Sequence, residues 1–189
     1  MTTATIKPHS ETRIHLVLGG ARSGKSRFAE NLAQQLCAEN DWNKTYLATA
    51  TVLDDEMQQR IQQHRDDRDH TWRLVEEPLM LAKCLTQFNQ QDCVVIDCLS
   101  LWLSNCLHAN IWPEQQHAFL QQIDNMLATN TTQTPAAIIM VSNEVGQGIV
   151  PLGELSRRFV DESGWLHQAL AKRCQQVSFI TAGLAQSLT

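Results

Sequence analysis

No apolar run in the 189 residues approaches the roughly 20 needed to span a bilayer, so a transmembrane protein is not expected. The first residues, Met1 to Glu11, carry one lysine and one proline and lack the apolar centre of a secretory signal. They read as a short disordered arm over residues 1–12, ahead of a single domain at 13–189. Basic charge is also scarce. Fifteen Lys and Arg against 20 Asp and Glu leave a net charge of −5, which argues against a general binder of nucleic acid or anionic membranes. The six cysteines, at 37, 84, 93, 98, 106 and 174, form no C-x-x-C pair and no metal-like spacing with histidine. Buried free thiols in a reducing cytoplasm are the expectation. Internal repeats and long linkers are missing as well.

What the chain does have is Gly19-Gly20-Ala21-Arg22-Ser23-Gly24-Lys25-Ser26, a G-x-x-x-x-G-K-S run. It follows the apolar stretch Ile14–Leu18 and precedes an amphipathic pattern with Phe28, Leu32 and Leu36 on one face. Strand, glycine-rich turn and helix is the context of a phosphate-binding P-loop. Glycines let backbone N–H groups turn toward a phosphate, and the helix N-terminus adds its positive dipole end. In that reading Lys25 meets the β- and γ-phosphates and Ser26 is a Mg²⁺ ligand.

Apolar runs alternate with helical patterns along the rest of the chain, which predicts an α/β fold of the P-loop NTPase kind with a mostly parallel, helix-flanked sheet. Strands are expected at Ile14–Leu18, Thr45–Ala48, Val94–Asp97, Ala137–Ser142 and Val177–Thr181. Helices are expected at Lys25–Glu39, Asp55–Asp66, Pro78–Asn89, Ser100–Asn105, Pro113–Thr129 and Gly153–Cys174, with a short last one near the C-terminus. Several strands end in polar residues: Thr49 and Thr51, Asp97, and Ser142-Asn143-Glu144. Ligands of open α/β sheets bind at such carboxyl ends.

Cys93-Val94-Val95-Ile96-Asp97 resembles a Walker B strand, whose terminal Asp holds Mg²⁺ opposite Ser26. A turn-forming Asp fits the same pattern. Asp54 and Asp55 suit a helix N-terminus, and Met57, Ile61 and His64 then share one face. By spacing alone His64 fits a dipole partner at a helix end or a catalytic group. The neighbouring Arg65 and Arg68 suit phosphate handling. Asn143-Glu144-Val145-Gly146-Gln147-Gly148 is compatible with a plain turn or with a place in the active site. Arg157 and Arg158 suit contacts to phosphates or surface ion pairs, and the surface reading is the favoured one.

Together these segments resemble the bifunctional adenosylcobinamide kinase/adenosylcobinamide-phosphate guanylyltransferase family of cobalamin synthesis. The resemblance rests on the P-loop, Tyr46-Leu47-Ala48-Thr49-Ala50, Leu53-Asp54-Asp55-Glu56-Met57 and Arg60-Ile61-Gln62-Gln63-His64-Arg65. It continues through Asp97-Cys98-Leu99-Ser100-Leu101-Trp102-Leu103-Ser104-Asn105 and Asn143-Glu144-Val145-Gly146-Gln147-Gly148-Ile149-Val150-Pro151, collinear from about residue 14 onward.

The resemblance implies phosphorylation of adenosylcobinamide by ATP or GTP, then transfer of GMP from GTP through a guanylylated histidine, matched here by His64. It implies nucleotide contacts from the P-loop, Thr49, Ala50 and Thr51, His64, Arg65, Asp66 and Asp67, Glu76 and Asp97. It also implies a homotrimer. Where family members often have Arg-Pro, Arg68 here precedes Asp69. A small-molecule kinase without guanylyl transfer, or a nucleotide-switched regulatory ATPase, would use the same P-loop.

Overall fold

The computed structural model describes residues 14–51, 71–128 and 135–189. These form a seven-stranded sheet with helices on both faces. The strands are β1 (Ile14–Gly19), β2 (Asn43–Ala48), β3 (Arg73–Glu76), β4 (Asp92–Asp97), β5 (Ala137–Asn143), β6 (Gln176–Thr181) and β7 (Leu184–Ser187). The helices are α1 (Lys25–Asn40), α2 (Leu81–Leu85), α3 (Leu99–His108), α4 (Trp112–Ala128) and α5 (Glu154–Ala171). Strand order is β3-β2-β4-β5-β1-β6-β7, and every pair is parallel except β6 with β7. The expected α/β architecture and all five expected strands are present. The expected helix Asp55–Asp66 lies outside the described residues.

Strand residues alternate between two cores, because successive side chains leave opposite faces of a sheet. Leu16, Leu18, Val94, Ile96, Ile138 and Met140 pack with α2, α3, α4 and α5. Val17, Val95, Ile139 and Val141 pack with α1 through Ala29, Ala33 and Leu36. With both faces covered, β1, β4 and β5 read as nearly continuous apolar runs. Trp102 and Trp112 meet edge to face at 5.1 Å where α3 joins α4. Their indole N–H groups donate to the Leu79 carbonyl at 2.7 Å and to Glu162 Oε2 at 2.8 Å, so neither ring leaves a buried donor unpaired.

Three expectations need correction. The helix expected over Pro78–Asn89 is only Leu81–Leu85, because Glu77 Oε1 accepts the N–H groups of Leu79 and Met80 and holds that stretch in a turn. The last segment is a strand, not a helix. Ala182 and Gly183, at φ 52° and 78°, make the two-residue turn that folds β7 back on β6. Edge strand β3 was not foreseen; its four residues are mostly exposed and give little hydrophobic signal. All six cysteines are free thiols, five buried and Cys174 half-buried, as expected. Among the described residues no helix is long and apolar enough to cross a membrane.

Candidate active site

β1 ends at Gly19, and its place leaves no room for a side chain. A Cβ there would stand 2.6 Å from the Ile180 carbonyl oxygen and 2.6 Å from Ser23 Oγ. The loop then turns through Arg22 at φ 56° and Gly24 at φ 94° before α1 begins at Lys25. Gly24 is the N-cap and no side chain caps the helix. The first N–H groups of α1 are thus oriented out of the helix end, where they and the dipole favour an anion. Ser23 Oγ is buried without a hydrogen-bond partner, one more polar atom left over in the cradle. From behind, the β6–β7 turn supports the loop, with Gly183 N–H donating to the Ser23 carbonyl at 2.8 Å.

Lys25 is 8% exposed and its ammonium donates to the Gly20 carbonyl at 3.0 Å. Burial lowers its pKa, while nearby Asp97 and Cys98 act in the opposite sense. Asp97 is the last residue of β4, and its Oδ2 accepts the Tyr46 hydroxyl at 2.8 Å. β5 lies between β4 and β1, so Asp97 reaches the P-loop across two strand spacings, roughly 10 Å of backbone. A carboxylate and the Ser26 hydroxyl on the same rim are hard oxygen donors of the kind Mg²⁺ selects.

Thr49 is fully buried and braces the rim instead of opening onto it. Its Oγ1 donates to the Cys98 carbonyl at 2.7 Å and accepts the Cys98 N–H at 2.8 Å. Asn105 of α3 extends this brace. Its amide donates to the carbonyls of Thr49 and Pro78 at 2.8 and 3.2 Å, and its Oδ1 accepts from Thr51 at 3.1 Å. Asn105 is the one amide side chain in α3, and that was the signal for this role. Ala50 and Thr51 are half-buried on the same turn.

Glu76 is exposed at the end of β3 and pairs with Ala48, which in turn pairs with Asp97. Four strand spacings, roughly 19 Å, separate its strand from β1. That is beyond the phosphates of a nucleotide held by the P-loop. His64, Arg65, Asp66 and Asp67 lie outside the described residues; the chain enters their segment from Thr51, at this rim.

Asn143 pairs with Gly19 in the β1–β5 ladder, and Glu144 N–H donates to the Gly19 carbonyl at 3.0 Å. The structure therefore puts this turn directly beside the P-loop. Arg157 donates to the carbonyls of Pro151 and Leu152, and Arg158 pairs with Glu162 at 3.9 Å. Arg158 makes the expected surface ion pair, and Arg157 instead ties down the carbonyls of the loop before α5.

Comparison with known proteins identifies the family. The family described as cobinamide kinase / cobinamide phosphate guanyltransferase matches residues 15–188. The bifunctional adenosylcobalamin biosynthesis protein CobP of Pseudomonas aeruginosa is 49% identical over 174 residues, covering 92% of this chain and 95% of that one. The bifunctional adenosylcobalamin biosynthesis proteins CobU of Salmonella typhimurium and Escherichia coli are 37% and 35% identical, each over 89% of this chain and 96% of the relative. Among solved structures, the flagellar accessory protein FlaH of Methanocaldococcus jannaschii matches with a TM-score of 0.45 and 16% identity, covering 96% of this chain and 79% of that one. The chain belongs to the cobinamide kinase / cobinamide phosphate guanyltransferase family, the bifunctional enzymes of adenosylcobalamin biosynthesis.

Proposed function

We propose that one nucleotide site, built on the P-loop, serves both reactions of the family, and that His64 carries GMP from GTP to the corrinoid phosphate in the second. The observation that supports this most directly is the convergence of Lys25, the uncapped start of α1 and Asp97 at one rim of the sheet. In the first reaction the aminopropanol hydroxyl of adenosylcobinamide attacks the γ-phosphorus of ATP or GTP, and the nucleoside diphosphate leaves. Lys25 and the α1 N–H groups hold the phosphates and offset charge on them. In the second, a neutral His64 nitrogen attacks the α-phosphorus of GTP, pyrophosphate leaves, and the corrinoid phosphate then takes GMP from the phosphoramidate. Arg65, Asp66 and Asp67 are assigned to the same nucleotide. Glu76 is assigned to its nucleoside end, and the backbone of Thr49, Ala50 and Thr51 to the rim.

Mg²⁺ fits the donor set of Ser26 and Asp97, and when bound it would offset phosphate charge. Tyr46, by holding one Asp97 oxygen, orients the carboxylate for that role. Residues 13–189 act as a single catalytic domain in the cytoplasm, and the protein works as a homotrimer. Ile149 and Leu152, each 98% exposed, are apolar side chains that such association would remove from water.

The test is to supply α-labelled or γ-labelled GTP with and without adenosylcobinamide. An acid-labile, alkali-stable protein adduct should carry α-label only, and His64→Ala should abolish it. Adduct formation by His64→Ala at wild-type thermal stability would place the nucleophile elsewhere, with His70 next to be replaced.

A further inference from the structure

Ser142 is the next-to-last residue of β5 and Glu144 the first beyond it, and their contacts put both side chains on one face of the sheet. That face meets α5, which brings His167 between them. His167 Nε2 is 2.8 Å from Ser142 Oγ, and Nδ1 is 3.7 Å from Glu144 Oε2. The other carboxylate oxygen, Oε1, accepts the Gly146 N–H at 2.6 Å. A side chain at Gly146 would crowd that oxygen, with Cβ at 3.1 Å, so the glycine permits the close approach. Burial lowers the His167 pKa, with Glu144 acting in the opposite sense, and the ring is neutral at pH 7. In the tautomer that carries its single ring proton on Nδ1, on the side of the carboxylate, Nε2 accepts the Ser142 hydroxyl proton.

Serine, histidine and carboxylate in this order resemble an acyl-transfer triad. Ser142 is only 1% exposed, however, so no substrate reaches its oxygen. The end of the relay that meets solvent is Glu144, whose side chain is 22% exposed. The Glu144 backbone lies beside the P-loop: Glu144 N–H is bonded to the Gly19 carbonyl and the Lys25 ammonium to the next carbonyl, Gly20. Those two contacts put the Glu144 backbone within about 11 Å of the ammonium, a gap that a glutamate side chain and a substrate hydroxyl can share.

We propose that Glu144 is the general base of the kinase reaction and that Ser142 and His167 are positioning residues that aim its carboxylate. The proposal rests on the kinase reading above and adds a base to it. The corrinoid hydroxyl oxygen forms the new bond to the γ-phosphorus. The bond from that phosphorus to the β,γ-bridging oxygen breaks, and its electron pair leaves with the nucleoside diphosphate. The hydroxyl proton passes to Glu144 Oε2 and from there to solvent. A hydroxyl needs such a base because it is protonated at neutral pH. The nucleophiles of the guanylyl reaction are the neutral His64 nitrogen and then a phosphate that is already ionised, and neither needs a carboxylate base, so the two reactions respond differently to loss of Glu144.

The experiment measures both reactions on the full chain: adenosylcobinamide with γ-labelled ATP or GTP, and adenosylcobinamide phosphate with α-labelled GTP. Glu144→Gln should lower the ratio of kinase to guanylyl turnover about 100-fold, within the usual range for loss of a general base, with nucleotide KM changed about twofold or less. His167→Ala should lower the ratio about tenfold. His167→Asn should recover part of that loss, because its amide can replace the Nδ1–H donor. Ser142→Ala, a small buried change, should lower the ratio about threefold and carries the test should Glu144→Gln fail to fold. Equal losses in both reactions, or an unchanged ratio in Glu144→Gln or Ser142→Ala, would overturn the assignment. So would a Glu144→Gln enzyme restored to full turnover by raised Mg²⁺, which would make Glu144 a metal ligand. If wild-type protein guanylylates adenosylcobinamide phosphate but does not phosphorylate adenosylcobinamide, the kinase reading itself fails and the base assignment with it.

Discussion

Replacing Gly24 by alanine tests the P-loop at its most strained point. Gly24 has φ 94° and ψ 8°, a left-handed conformation that costs an L-residue roughly 1–3 kcal/mol. The new Cβ would also stand 3.3 Å from the Cα of Gly183, which is backbone in the β6–β7 turn and has little freedom to withdraw. The expected loss is about 2–3 kcal/mol, or roughly 5–10 °C in Tm for a chain of this size. The effect on ligand binding is separable from it. At a nucleotide concentration of about 100 Kd, wild-type protein gains about 2.7 kcal/mol, again roughly 5–10 °C. If the variant relaxes toward negative φ, the N–H groups of the loop swing away from the phosphate. A 100-fold weaker Kd would then leave about 0.4 kcal/mol, a shift of roughly 1–2 °C at the same concentration. Thermal unfolding with and without Mg²⁺ and a non-hydrolysable triphosphate reads both numbers. A variant with wild-type Tm and the full ligand shift would refute the claim that the left-handed Gly24 shapes the phosphate cradle.

Lys25→Ala should lower both kinase and guanylyl turnover about 10²–10³-fold, measured with γ- and α-labelled GTP, because it removes a buried cation beside the phosphates. Ser26→Ala should act in the same direction. Asp97→Asn should raise the Mg²⁺ concentration needed for half-maximal activity while changing Tm little, since an amide still accepts the Tyr46 hydroxyl; an unchanged requirement would favour a turn role for Asp97. His15 is 3% exposed, and burial depresses its pKa to about 4. Between pH 6.5 and 4 the unfolded chain binds the proton that folded His15 refuses, so stability should fall by about 3 kcal/mol as pH drops through that window. Urea titrations of wild type and His15→Gln at pH 7.5 and 4.5 check this: the variant should lose the difference due to His15, and an identical pH dependence would show that the burial of this ring is not its cause.

The P-loop was legible because its chemistry is local. Eight consecutive residues carry the glycines, the lysine and the serine, and the flanking strand and helix announce themselves by periodicity. Asp97 and the central strands were equally legible, since β1, β4 and β5 are buried on both faces and have to be apolar throughout. Hydrophobic pattern reports burial and not partners, so strand order belonged to the tertiary structure. Only there does β5 come between β1 and β4, setting Asn143 and Glu144 against Gly19. β7 is exposed throughout and begins after an alanine in the left-handed region, so neither composition nor turn chemistry marked it. The support that Gly183 gives to Ser23 was hidden with it. The family resemblance implied nucleotide contacts from both Thr49 and Glu76, and the sheet sets them at the ends of neighbouring strands in different surroundings: Thr49 is locked to Cys98, while Glu76 is exposed on the edge strand β3. Ser142 and His167 are 25 residues apart, on a strand and a helix whose packing alone makes them neighbours of Glu144. Sequence specifies such a relay only through the burial that folds α5 onto β5, and no short-range pattern encodes that contact.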